Sequence, residues 1–194
     1  MPRKYNIAFI PTINIKKFVC YSREISKKIH PATYLLSEQS LPHVSLCHFE
    51  AEENSIESIW QQVVALNISP IGLIFDSQRS KSYPGHPKWG SVCWISLMSD
   101  KLDELKKIHL SIANHIIADP LNASFEAYDP HLTLLNSYDE RESSVLNENS
   151  KLSNPIQDEF CIALGNIDDN GQLLNILYSQ NELIYYNELK KPII

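Results

Sequence analysis

The chain reads as an α+β protein with a mainly antiparallel sheet. Three observations predict this class. Short apolar strands alternate with amphipathic helical stretches along 194 residues. Only five glycines are present, and none builds the glycine-rich strand-to-helix turn of a dinucleotide or P-loop site. Near the end, Asp168-Asp169-Asn170-Gly171 joins two strand-like runs, Glu159 to Ile167 and Leu173 to Tyr178, as a hairpin with an Asn-Gly turn.

Tyr5 to Ile10 predicts a buried first strand, stopped by Pro11. Residues 14 to 29 place Ile15, Phe18, Ile25 and Ile29 at helical spacing, and His30-Pro31 ends that helix. His43 to Phe49 alternates as a strand. Asn54 and Glu57 are placed to cap a helix carrying Ile56, Ile59, Trp60, Val63 and Val64. Ile71 to Phe75 is a short strand. Residues 77 to 90, rich in Ser, Lys, Pro and Gly, read as a loop. Val92 to Met98 is a strand, and Asp100 precedes a helix with Leu102, Leu105, Ile108 and Ile112 on one face, ending near Asp119-Pro120. His131 to Ser137 is a further strand, followed by a polar segment, 138 to 154, with helical character. The order is β-α-β-α-β-β-α-β-(α)-β-β. No linker or short repeat divides the chain, so residues 1–194 are expected to form a single domain.

The net charge of −6 and pI near 5.6 argue against the basic face that long duplex nucleic acid requires. A nucleotide or a short RNA end needs only a few cations. Cys20, Cys47, Cys93 and Cys161 lie far apart with no Cys-x-x-Cys pair, which predicts free thiols in a reducing compartment. With no signal-like or membrane-spanning run, the expectation is a cytoplasmic monomer with no membrane partner.

One internal echo carries chemistry. Leu41-Pro42-His43-Val44-Ser45-Leu46 is answered by Asp129-Pro130-His131-Leu132-Thr133-Leu134, 88 positions later (131 − 43). On a strand, His43 shares a face with Ser45, and His131 with Thr133, while the aliphatic residues between them point the other way. Two imidazoles and two hydroxyls around one phosphate suit phosphodiester cleavage. A neutral imidazole takes a proton from the attacking oxygen, and an imidazolium gives one to the leaving oxygen. The hydroxyls donate to the non-bridging oxygens. This scheme needs no metal and no cofactor. The chain holds its own control: His109-Leu110-Ser111-Ile112 fits the bare pattern but lies in an amphipathic helix, where residues two apart do not share a face.

The paired motifs, in a chain of this length, resemble the 2H phosphoesterases, the superfamily of 2′-5′ RNA ligase-like proteins. The resemblance implies a bilobal α+β fold with pseudo-two-fold symmetry, its antiparallel strands lining a central cleft with helices outside. It makes His43 and His131 the catalytic acid/base pair, and Ser45 and Thr133 the phosphate-binding residues. The activity it implies is hydrolysis of a 2′,3′-cyclic phosphate or a related nucleotide or RNA-end phosphodiester, a role in RNA processing. A 2′,5′-oligonucleotide phosphodiesterase, an RNA 2′-5′ ligase, and a nucleotide-binding module without turnover stay open as alternatives.

Other residues weigh less. Residues 77 to 90 carry Arg79, Lys81, Tyr83, Lys88 and Trp89, either as a lid that binds phosphate and stacks a base or as a solvated turn with Trp89 in the core. By strand alternation His48 falls on the face opposite His43, and Cys47 on the same face as His43, where it reads as a buried strand cysteine. His30, His86, His109 and His115 have no ligand partners at metal spacing and read as structural or surface residues.

Overall fold

A computed structural model describes residues 2–37, 40–86, 90–117, 121, 127–138 and 150–181. The described elements run β1 (Arg3–Pro11), α1 (Ile15–Ser26), β2 (Val44–Ala51), α2 (Ile56–Ala65), β3 (Ile71–His86), β4 (Gly90–Ser99), α3 (Leu102–His115), β5 (Leu132–Ser137), β6 (Ser150–Ile167) and β7 (Leu173–Ser179). All strand pairs are antiparallel, in the order β1-β2-β5-β4-β3-β6-β7, with β1 also paired to β6. This is the expected α+β class.

The long strand β6 serves both halves of the sheet. Phe160 pairs with Pro11 of β1 on one edge and with Ile71 of β3 on the other. Further along, Ala163 to Ile167 pair with β7 on the edge that β3 has left. The result is two four-stranded halves, β2-β1-β6-β7 and β5-β4-β3-β6. In each, the strand that follows a Pro-His pair is the outer one. The two outer strands meet through Val44 and Leu132. That is the expected two-lobed arrangement.

Helices cover the outer faces, α3 against β2 and α1 against β5. Their apolar stripes explain this: Phe18, Val19 and Ile25 of α1, and Leu105 and Ile112 of α3, are buried. Phe18 meets Phe75 and Phe160 with ring centroids 5.6 and 5.9 Å apart, joining helix, β3 and β6 in one core. No described helix is long and apolar enough to cross a membrane.

Three expectations are corrected. Residues 77 to 86 are strand, not loop: β3 pairs with β4 from Ser77 opposite Met98 to His86 opposite Gly90. Arg79 and Lys81 of this polar stretch line the cleft, and pairing overrides local preference. Residues 150 to 154, read with helical character, open β6, whose Ser150 and Lys151 pair with Gln78 and Ser77; residues 139 to 149 lie outside the described ones. Asn54 does not cap α2. It lies inside a 3-10 turn, Glu53–Ser55, that leads directly into the helix, and no side chain caps the junction.

Candidate active site

Each proline-histidine pair forms the same corner. The Nδ1 of His43 lies 2.7 Å from the carbonyl oxygen of Leu41, and the Nδ1 of His131 lies 2.6 Å from that of Asp129. A carbonyl only accepts, so Nδ1 carries the proton in each neutral ring and Nε2 is left as the basic atom. The intervening proline, with φ fixed and no N–H to offer, turns the carbonyl two residues back onto the ring. Both histidines sit one residue before their strand, at a place where β2 and β5 meet.

Both rings line one cleft of about 490 Å³, together with Ser45 and Thr133. The structure therefore brings together all four residues singled out by the motif. Continuing the antiparallel register of the Val44–Leu132 bridge sets His43 across from Thr133 and His131 across from Ser45. Burial holds His43 down to about 4. The Leu41 carbonyl pulls the other way, the neighbouring His131 adds to the depression, and the backbone of Gly171 opposes it. His131 is also held below its ordinary value, by burial first, with the Asp129 backbone and carboxylate opposing and Arg79 and Lys81 reinforcing.

One wall of the cleft is cationic. Arg79 forks onto Asp129, with Nη1 3.1 Å from Oδ1 and Nη2 on Oδ2, and the Nζ of Lys81 lies 3.2 Å from Oδ2. Burial pushes the Asp129 carboxyl up, but Arg79, His131 and Lys81 together hold it below its ordinary value. Two cations against one carboxylate leave a net positive charge beside His131, which suits an anion. The β6–β7 turn, Asp168 to Gly171, also lines the cleft, with Lys4 paired to Asp169 at 2.7 Å.

Comparison with solved structures settles the architecture. E. coli LigT complexed with NADP+ matches at a TM-score of 0.58 and 14% identity, covering 92% of this chain and 97% of that one. E. coli LigT complexed with ATP (TM-score 0.55, 13% identity, 92% and 97% covered) and with 3′-AMP (0.54, 13%, 92% and 96%) match alike. This chain has the LigT fold. No protein-family model and no curated protein matches the sequence.

Within this LigT-like fold two expectations about faces are reversed. His48 lines the cleft, its Nε2 3.0 Å from the Ser45 Oγ, whereas Cys47 is buried beside α3 with its Sγ 3.5 Å from the Nδ1 of His109. The cause is a β-bulge. Ile7 pairs with Cys47 but Ala8 pairs with Ser45, so Leu46 is an extra residue and every side chain after it changes face. The second motif strand has the same bulge at the equivalent leucine: Ile95 pairs with Leu135, and Ser96 with Thr133, leaving Leu134 extra. The signal was present in the sequence. Leu46-Cys47 and Leu134-Leu135 are adjacent apolar pairs that break the alternation, and all four are buried.

The carbonyls around the first bulge are all held. His109 Nδ1 lies 2.7 Å from the Leu46 oxygen, and the Tyr128 hydroxyl donates to the Ser45 oxygen. The rings of His109 and Tyr128 stack with centroids 4.0 Å apart. His109 is thus structural, as expected. Burial pushes the Cys47 thiol up to about 12, which removes it as a nucleophile near neutral pH.

Of the remaining candidates, Arg79 and Lys81 reach the cleft from β3, and Trp94 of β4, which the sequence had not singled out, lines it beside Tyr34 with ring centroids 5.6 Å apart. Tyr83 lies on β3 opposite Val92. Lys88 and Trp89 lie outside the described residues. His30 and His115 are exposed. Among the described residues, no group of three or more His, Cys, Asp or Glu side chains is arranged to hold a metal ion.

Proposed function

We propose that the protein is a metal-independent phosphodiesterase that hydrolyses a 2′,3′-cyclic phosphate or a related nucleotide or RNA-end phosphodiester. The observation that carries the reading is the pair of equivalently held imidazoles, His43 and His131, in one cleft. One neutral ring accepts the proton of the attacking water through Nε2. The new P–O bond forms as the bond to the ribose oxygen breaks, and the other ring, protonated, gives its proton to that oxygen. Ser45 and Thr133 donate to the non-bridging oxygens, and the charge of Arg79 and Lys81 holds the anion. Burial holds both rings below 6.5. A bound phosphodiester anion opposes that depression and helps one of them keep its proton.

The LigT structures hold NADP+, ATP and 3′-AMP, which supports a nucleotide as the occupant of this cleft. The reading extends to a monomer acting in the cytoplasm. The test is hydrolysis of the four nucleoside 2′,3′-cyclic monophosphates in EDTA by wild type and by His43→Ala/His131→Ala. Turnover by wild type alone supports the reading. Loss of wild-type activity on chelation, or equal turnover by the double variant, would overturn it. Turnover confined to 2′,5′-linked oligonucleotides would move the assignment to that linkage.

A further inference from the structure

Ser45 has one hydroxyl proton and two lone pairs, and two side chains already touch its oxygen: Asn6 Nδ2 and His48 Nε2, each at 3.0 Å. The amide nitrogen donates. His48 offers a choice set by its tautomer. With the proton on Nδ1, the bare Nε2 takes the Ser45 proton, and the serine turns a lone pair toward the cleft, which repels an anion. With the proton on Nε2, both lone pairs of Ser45 are filled and its own proton is left to point into the cleft. We propose that His48 and Asn6 together fill the acceptor sites of Ser45 and so direct its hydroxyl proton to a bound phosphate oxygen. His48 is then a positioning residue that acts through Ser45. The inference rests on the phosphate-binding role proposed for Ser45.

The surroundings are built for this. The bulge at Leu46 turns His48 inward, and the neighbouring carbonyls are fixed by His109 and Tyr128. The β6–β7 turn packs against the ring: a Cβ on Gly171, whose φ is +79°, would meet the His48 Cε1 at 3.2 Å. Burial, helped by the charges of His43 and His131, holds His48 down to about 3, so a move of its single proton between nitrogens, not a gain of charge, answers the ligand. The arrangement belongs to the Ser45 side. Asn136, at the place equivalent to His48, commits its amide instead to the backbone of Thr33 and Tyr34 and to the Thr33 hydroxyl.

The experiment is calorimetric titration of inorganic phosphate into wild type and variants at pH 7, with circular dichroism to confirm folding. Ser45→Ala and His48→Phe are each expected to weaken phosphate by about tenfold, as for a hydrogen bond to a charged group. The double variant should be no weaker than Ser45→Ala alone. His48→Gln, whose amide reaches the place of Nε2, should recover most of the loss and serves if the Phe variant does not fold. Wild-type affinity in His48→Phe, a double variant weaker by the product of the two losses, no recovery with Gln, or no phosphate binding by wild type would each overturn the proposal. Coupling without any phosphodiester turnover would remove the phosphodiesterase reading alone; turnover without coupling would remove the His48 inference alone.

Discussion

Val44 and Leu132 pair across the seam between the two halves of the sheet, and each is the residue that follows a cleft histidine. The two Pro-His corners are therefore related by the local two-fold of an antiparallel bridge. The histidines are expected to contribute comparably, and His43→Ala or His131→Ala should each lower kcat by roughly 10²–10⁴-fold without loss of circular dichroism signal. Near-normal turnover in either variant would rule out the two-histidine mechanism.

The depressed histidines set the pH profile. kcat/KM reports the free protein, where one ring must be neutral and the other charged. Burial holds His43 at about 4 and places His131 below 6.5. The bell in kcat/KM should therefore peak on the acid side of 6.5, and the bell in kcat, which reports the anion-bound state, should lie at higher pH. Coincident bells centred above neutrality would contradict this.

The same groups tie stability to pH. His43 and His48 sit at about 4 and about 3, against 6.5 in the unfolded chain. Below pH 6.5 the unfolded chain takes up protons that the folded one refuses. This contribution is complete above that value and is lost as pH falls through about 4 for His43 and about 3 for His48. Each ring so shifted contributes at most on the order of 3–5 kcal/mol, the larger share from His48. Urea unfolding from pH 7 to pH 4 should show the fall, and His48→Gln should flatten it.

Asp129 pairs with both Arg79 and Lys81 while its backbone holds His131. Asp129→Asn keeps the carbonyl and the side-chain shape but leaves the two cations without their carboxylate. A loss of about 1–3 kcal/mol is expected, less than for a fully buried pair because the groups are partly solvated. Phosphate should bind more tightly than in wild type. Weaker phosphate binding would show that the carboxylate orients the cations rather than competing for them.

His109→Leu removes the donor that holds the Leu46 carbonyl at the bulge. The expected cost is about 1–3 kcal/mol, read by thermal or urea unfolding, with lower turnover because Ser45 and His48 lie on either side of that residue. Unchanged stability would mean that the bulge holds itself.

What the sequence revealed follows from where its signals are local. Pro42-His43 and Pro130-His131 were legible because proline fixes the corner and the histidine chemistry repeats beside it. The β6–β7 hairpin was legible from Asn170-Gly171, where Gly171 takes the positive φ the turn requires. The faces of Cys47 and His48 were misread because strict alternation has no place for the extra residue at Leu46. Arg79 and Lys81 were assigned to a loop because the partner that makes them strand residues, β4, is apparent only once the chain has folded. Composition pointed to polar, charged residues there but not to the strand that carries two of them into the cleft.

The sharing of β6 has a consequence for how the chain comes into being. A ribosome releases β1 to β5 before it releases residues 150 to 167, yet β1 and β3 both need that strand for their free edges. Until then each half exposes an unpaired edge, a template for pairing with another chain. Closing pairs as distant as Tyr5 and Asn166 makes late, slow folding the expected outcome. Nascent chains halted before residue 150 should depend on chaperones, while completed chains should not.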